Sequence, residues 1–342
     1  MNLEHITHEN QTKTPVIGAS NRASCRSENE GAKNAIPADN PDANGSGSIP
    51  FTGIATTLAS GTASRSESKN SSLTKTQLEK IKQRLTERDR SVLRAVRKYR
   101  FMTSDQIGRL YVTECSTKTS QTRQRNLLLK RLRDYGLLRP LERRVGGYGG
   151  GSSIQVWHLT EAGQRLLTEN ADMTYTRKRI IEPSTMFLKH TLAIAECAVQ
   201  LVCFCRQSAD LSLVEITTEP SCWRSFREDG RLNYLKPDLF AVTTYDNYED
   251  RWFIEMDLGS VSLAQIVEKC KVYLCYYRTG IEQMETEMFP LVVWIVKDDG
   301  RKEKIKDALR NNLHGQPKMF LVITPNELER MVRQYIDAKE LL

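Results

Sequence analysis

The sequence predicts an α/β protein built as a polar tail, a basic helical module closed by a β-hairpin, and a larger half around a mixed central sheet. Three observations carry that reading. Helical spacing of apolar residues between positions 86 and 135 gives way to two strand-like runs joined by a glycine-rich stretch. Beyond residue 171, helical and strand patterns alternate, as in a layered α/β domain. Charge is also uneven: residues 1–72 hold six Lys/Arg and seven Asp/Glu, 73–170 hold twenty-one and nine, and 171–342 hold twenty-three and twenty-six. The differences of −1, +12 and −3 give the net +8, so all the positive excess belongs to the middle segment, the footprint of a nucleic-acid-binding module.

Residues 1–72 are dominated by Ser, Thr, Asn, Gly, Ala and Glu, with too little apolar surface to offset the entropy of ordering, which predicts a disordered tail. Thr86-Glu87-Arg88-Asp89 reads as a capping box, and Val92, Leu93, Val96 and Tyr99 follow at helical spacing. Thr103-Ser104-Asp105 opens a short second helix with Ile107, Leu110 and Tyr111 inward. A third spans residues 120–135 and stops at Gly136; Leu128, Leu132 and Tyr135 mark its buried face, and Arg123, Arg125, Lys130, Arg131 and Arg133 populate the rest. Residues 137–145 and 154–159 are strand-like and flank the glycine-rich stretch 146–153, and a further helix opens at Thr160. Three helices followed by a hairpin with a pliable tip predict a winged helix over residues 73–170. Its basic third helix suits the major groove, where guanidinium groups reach guanine edges, and Arg143 and Arg144 of the wing suit the adjacent backbone or minor groove. The DNA-binding set is therefore Arg123, Arg125, Lys130, Arg131, Arg143 and Arg144.

Residues 171–342 form the second expected domain. A helix over 184–207 carries His190 and Glu196 beside the apolar series Leu188, Leu192, Ala195, Val199 and Val202. Strands follow at 211–218 and 222–226, with a turn at Glu228-Asp229-Gly230. Two further strands, 235–245 and 251–258, flank Asp246-Asn247, a pair suited to a tight hairpin turn. In the next helix, 261–277, Leu263, Ile266, Cys270, Leu274 and Tyr277 face inward, leaving Lys269, Tyr273 and Tyr276 beside or off that face. A strand at 289–296, a helix at 302–313, a strand at 319–324 and a closing helix at 325–336 complete the order.

The acids of the hairpin point to chemistry. With the turn at Asp246-Asn247, Tyr245 pairs with Tyr248, and counting outward sets Asp238 opposite Glu255. Side chains alternate along a strand, so Asp257 shares the face of Glu255. Three such carboxylates repel one another unless a cation joins them, and hard oxygen ligands suit Mg²⁺ or Mn²⁺. The remaining composition narrows the classes. The eight cysteines never form a C-x-x-C pair and lie mostly within apolar runs, which predicts buried thiols rather than zinc ligands or disulfides. No apolar run approaches the length of a membrane span and residues 1–10 lack a signal-peptide pattern, so a cytoplasmic protein without membrane insertion is expected.

KPDLF, then FIEMDLGS, then a helix bearing EKCKVYLCYY together resemble the replication-relaxation family, which includes the MOBC class of plasmid relaxases. That class is similar in fold to PD-(D/E)XK restriction endonucleases, and the resemblance runs from about residue 86 to 277. It implies a winged helix followed by a restriction-endonuclease-like α/β core, and a relaxase that recognises double-stranded plasmid DNA at an origin of transfer and nicks one strand. Relaxosome accessory proteins and a coupling protein are its implied partners. Asp238 corresponds to the acid of the Pro-Asp step and Glu255 to the first acid of the next strand, while Asp257 stands where restriction enzymes carry Lys. Another cation must substitute, with Lys269 the first candidate and Lys271 the second. Glu215, Glu219 and Glu196 remain open as the acid that completes the metal shell, with Glu219 favoured, and His190 is either at the mouth of the site or, the favoured reading, a hydrogen-bonded helix histidine. With five histidines and no His-x-His pair, the chain lacks the ligand cluster of histidine-dependent relaxases. Tyr273 and Tyr276 leave a covalent phosphotyrosine step open. The competing reading is a DNA-binding replication or transcription regulator whose nuclease fold has lost catalysis.

Overall fold

The computed structural model describes residues 73–142, 154–168, 183–245, 248–333 and 340–342. The expected tail, the wing tip with Arg143 and Arg144, the Asp246-Asn247 turn and the last residues of the closing helix lie outside them.

Helix α1 (Lys75–Arg84) opens at a Thr74–Gln77 capping box, and α2 (Glu87–Tyr99) at the predicted Thr86–Asp89 box. The first has a single buried residue, Leu78, so its hydrophobic periodicity was too weak to read. Strand β1 (Met102–Thr103) leads into α3 (Ser104–Tyr111), again capped as expected by Thr103. The basic helix α4 (Lys118–Asp134) starts two residues early, where Thr117 accepts from Ser120 N. Strands β2 (Leu138–Pro140) and β3 (Val156–Leu159) pair antiparallel, and β1 joins the other edge of β3 in the order β1-β3-β2. Helix α5 (Glu161–Thr168) follows. Its Gly163 is required by contact: a Cβ there would sit 2.3 Å from the Leu137 carbonyl oxygen.

The long helix α6 (Thr185–Gln207) precedes β4 (Leu211–Thr218). Here the strand expectations need correction. Strand β5 (Arg224–Glu228) pairs with β6 (Arg231–Leu235) as a separate two-stranded ribbon, and the run expected at 235–245 is broken before β7 (Leu239–Tyr245). Pro237 causes the break, because it has no N–H to give to a ladder. Strand β8 (Tyr248–Asp257) returns from the hairpin, α7 (Leu263–Arg278) and α8 (Ile281–Thr286) follow, and β9 (Leu291–Val296), α9 (Asp299–Asn312), β10 (Phe320–Ile323) and α10 (Leu328–Arg333) end the described elements. The five-stranded sheet runs β10-β9-β8-β7-β4; β10/β9 and β9/β8 are parallel, β8/β7 and β7/β4 antiparallel. It is the mixed central sheet that the sequence predicts.

Two apolar cores lie on its faces. Ala241, Trp252, Ile254 and Val293 pack towards α6 and the helical module, whereas Phe240, Phe253, Val292 and Trp294 pack towards α7 and α9. The first core crosses from the helices before residue 170 to those after it, and polar bonds cross with it: Arg109 of α3 meets Glu196 of α6 at 2.6 Å, and Lys98 donates to the Ile216 carbonyl at 2.5 Å. Among the described residues, α6 is the one helix long and apolar enough to cross a membrane, and here its Ala195, Ala198 and Val199 lie buried in this core.

Candidate functional site

The predicted register of the acidic hairpin is present. Tyr245 pairs with Tyr248 and Leu239 with Ile254, so Asp238 lies one step beyond the last pair, opposite Glu255. Asp238 accepts the Met256 N–H at 2.8 Å, so its side chain continues the ladder that Pro237 interrupts. His190, reaching from α6, sits 3.3 Å from the same oxygen and 3.1 Å from the Met256 carbonyl.

Glu255 is the buried centre of the cluster, at 1% exposure. Lys269 Nζ donates to one carboxylate oxygen at 2.5 Å and the Tyr273 hydroxyl to the other at 2.6 Å. Positions 269 and 273 are one helical turn apart on α7, so both side chains reach the same strand residue. That i,i+4 spacing was the readable sign of Tyr273's role. Burial pushes the Glu255 carboxyl up, to about 8, and the Asp238 charge adds to this, while Lys269 and Tyr273 pull down. Lys269 loses by burial but gains more from Glu255 and Asp238, so its pKa rises and it stays protonated. For His190 the bond to Asp238 is the largest influence and its pKa rises despite burial; burial raises Asp238, but His190 and Lys269 outweigh it and lower the carboxyl overall. The result is a cluster of two acids and two basic side chains at the ends of β7 and β8, which His190 reaches from α6 and Lys269 from α7.

Asp257 shares the Glu255 face but is held elsewhere. Arg301 of α9 donates to it at 2.6 Å, and so does the Gly259 N–H at 3.0 Å from a turn with φ of 86°. Arg301 was not anticipated, since no local pattern ties residue 301 to a strand acid 44 positions earlier. Lys271, the second cation candidate, pairs with Glu268 on the exposed side. Glu219 acts electrostatically on His190 and lies 3.4 Å from Arg100, Glu196 is engaged by Arg109 and Gln106, and Glu215 interacts with Lys98. Tyr273 and Tyr276, expected beside or off the inward face of α7, are fully buried: Tyr273 packs on Phe253 and Phe320 of the sheet, and Tyr276 on Phe226 and Phe289. Tyr276 donates to buried Glu282 at 2.9 Å, and burial raises both hydroxyl pKa values, so neither is an exposed, ionisable nucleophile.

Among the described residues no three His, Cys, Asp or Glu side chains gather as a metal-binding group. Asp238 and Glu255 remain as a facing carboxylate pair. Two carboxylates are hard oxygen donors of the kind that Mg²⁺ takes together with oxygens from outside the protein.

On α4, Arg123 and Lys130 are exposed with Lys118, Thr119, Thr122, Asn126 and Leu127 along one groove-lining face. Arg125 instead lies over Gly108 of α3, and Arg131 bonds the fully buried Asp89 at 2.5 Å. The expected DNA-binding residues of this helix therefore divide into an outward pair and two that hold the helix in place.

No curated protein and no solved structure matches the chain. The replication-relaxation family matches residues 93–292, a span that contains α3, α4, the hairpin and the whole Asp238–Glu255–Lys269 cluster. With more than half of its length so matched, the chain belongs to the replication-relaxation family.

Proposed function

We propose that this protein is a plasmid mobilisation relaxase that binds duplex DNA at an origin of transfer through a winged helix and nicks one strand at the Asp238–Glu255–Lys269 cluster. Membership of the family suggests a role in plasmid replication or mobilisation. The carrying observation is Lys269, 2.5 Å from Glu255 and within electrostatic reach of Asp238, which supplies from the next helix the cation that the strand lacks at Asp257. This reading makes the second half a PD-(D/E)XK-like endonuclease core with its lysine displaced onto α7. Attack on a phosphodiester builds negative charge on the phosphate, and Lys269 offsets it from one side. Tyr273 fixes the Glu255 carboxylate, and His190 fixes Asp238. Mg²⁺ or Mn²⁺ would be held by Asp238 and Glu255, and when bound supplies Lewis-acid stabilisation of the same charge. The exposed Arg123 and Lys130 of α4 support the duplex contact. Relaxosome accessory proteins and a coupling protein are the further partners, in the cytoplasm with the plasmid.

The test is purified protein incubated with supercoiled plasmid carrying its own origin, with Mg²⁺, Mn²⁺ or EDTA. Open circles are expected with either metal and not with EDTA. A second reading, a DNA-binding regulator without catalysis, is favoured by one observation: both oxygens of Glu255 already accept bonds from Lys269 and Tyr273. Intact DNA binding with no nicked product under any condition selects that reading.

A further inference from the structure

The β5–β6 ribbon has two unlike faces. In register, Arg224 pairs with Leu235 and Phe226 with Asn233, and this side is anchored: Phe226 and Leu235 are buried, and Arg224 donates to Glu282 at 2.7 Å while lying over the Phe240 ring. The other face carries Trp223, Ser225, Arg227, Leu232, Tyr234 and Lys236, all exposed. It presents two aromatic rings and two cations, and no acid. Lys236 Nζ lies 4.6 Å from the Trp223 ring centre and 5.7 Å from that of Tyr234, so the three side chains form one cluster. The ribbon leads directly into Pro237-Asp238, and Cys222 at its base donates to the Pro237 carbonyl at 3.0 Å. Exposed rings with interleaved cations are what single-stranded nucleic acid needs: bases stack on the rings and cations track the backbone.

We propose that the outward face of the ribbon is a platform for single-stranded DNA, with Trp223 and Tyr234 stacking bases and Arg227 and Lys236 meeting phosphates, which delivers the strand to the acid cluster beside it. Charge complementarity argues for a polyanion, and the paired rings argue for unstacked bases rather than duplex. The proposal rests on the strand-processing reading above for the source of the strand, but its test does not depend on cleavage.

The full chain is titrated into a fluorescein-labelled oligothymidylate and, separately, into a duplex carrying its own origin, with anisotropy as the readout. Trp223→Ala and Tyr234→Ala should each weaken oligothymidylate binding about 5- to 100-fold, the range for loss of one stacking ring, with duplex affinity little changed. Trp223→Phe with Tyr234→Phe should keep most of the affinity, because the π faces remain. Unchanged oligothymidylate affinity in the double alanine variant, or no binding by the unaltered chain at low salt, overturns the proposal. So does a double alanine variant that loses self-association in size-exclusion chromatography while retaining oligothymidylate binding, which assigns the face to a second copy. If the unaltered chain nicks no plasmid yet binds through these rings, the nuclease reading falls and the platform stands.

Discussion

Lys269 contacts Glu255 from α7, whereas Lys271, rotated by about 200° around the helix, pairs with Glu268 in solvent. If Lys269 offsets charge on a transferring phosphate, Lys269→Ala should lower the nicking rate roughly ten- to a thousandfold, and Lys271→Ala should be nearly silent. Rates measured side by side decide it; a larger loss at Lys271 would remove Lys269 from the site. His190 offers a test by titration. Its folded pKa lies above its ordinary value chiefly because of Asp238, so the stability it contributes is full below about pH 6.5 and is lost as pH rises through the folded pKa. Asp238 is shifted the other way, so its contribution is present above the ordinary carboxyl range and is lost as pH falls through its lowered pKa. Asp238→Asn should therefore lower the His190 pKa in an NMR titration. Its stability deficit should be greatest between the two ordinary pKa values and shrink as pH rises through the folded pKa of His190 or falls through that of Asp238. An unmoved His190 resonance would mean that the pair is not formed.

At the scale of an element, α4 separates residues that composition alone treats as equivalent. Arg123→Ala and Lys130→Ala should each weaken duplex binding and reduce the slope of log affinity against log salt by about 1, with little change in Tm. Asp89 should behave in the opposite way. It is fully buried, accepts from the Thr86 N–H and hydroxyl, and pairs with Arg131, so Asp89→Ala removes the reciprocal half of the capping box and leaves these donors without an acceptor. A loss of about 1–3 kcal/mol is expected from cap and hydrogen-bond precedents, measured by denaturant unfolding. A salt slope unchanged by Arg123→Ala and Lys130→Ala together would take the outward face of α4 out of the interface.

Across the whole molecule, one apolar core continues from α2, α3 and α4 into α6 and the sheet. Chain ending at residue 170 would expose the α3 surface that α6 covers and leave Gln106 and Arg109 without Glu196. Fragment 73–170 should therefore melt at lower temperature than 73–207 and expose apolar surface to a hydrophobic dye. Equal melting temperatures and dye binding would show that the helical module completes its core alone.

What the sequence determined by itself was local or periodic. Thr86 and Thr103 cap the helices that follow them, as side-chain geometry within one turn requires. The two-residue alternation of the hairpin placed Asp238 opposite Glu255, since a turn at residues 246–247 leaves only one register. Lys269 was legible as a cation on the helix after the acidic strand. The tertiary structure alone decided which partner each charge would take. Asp257 and Glu255 share a face, yet α9 brings Arg301 to the first and α7 brings Lys269 and Tyr273 to the second. It also split the strand run at Pro237 into a ribbon and a sheet strand, and it set Arg125 against α3 and paired Arg131 with the buried Asp89 of α2 while Arg123 stayed exposed. These outcomes depend on packing between elements far apart in the chain, where the cost of leaving a buried charge unpaired selects among partners that no local pattern distinguishes.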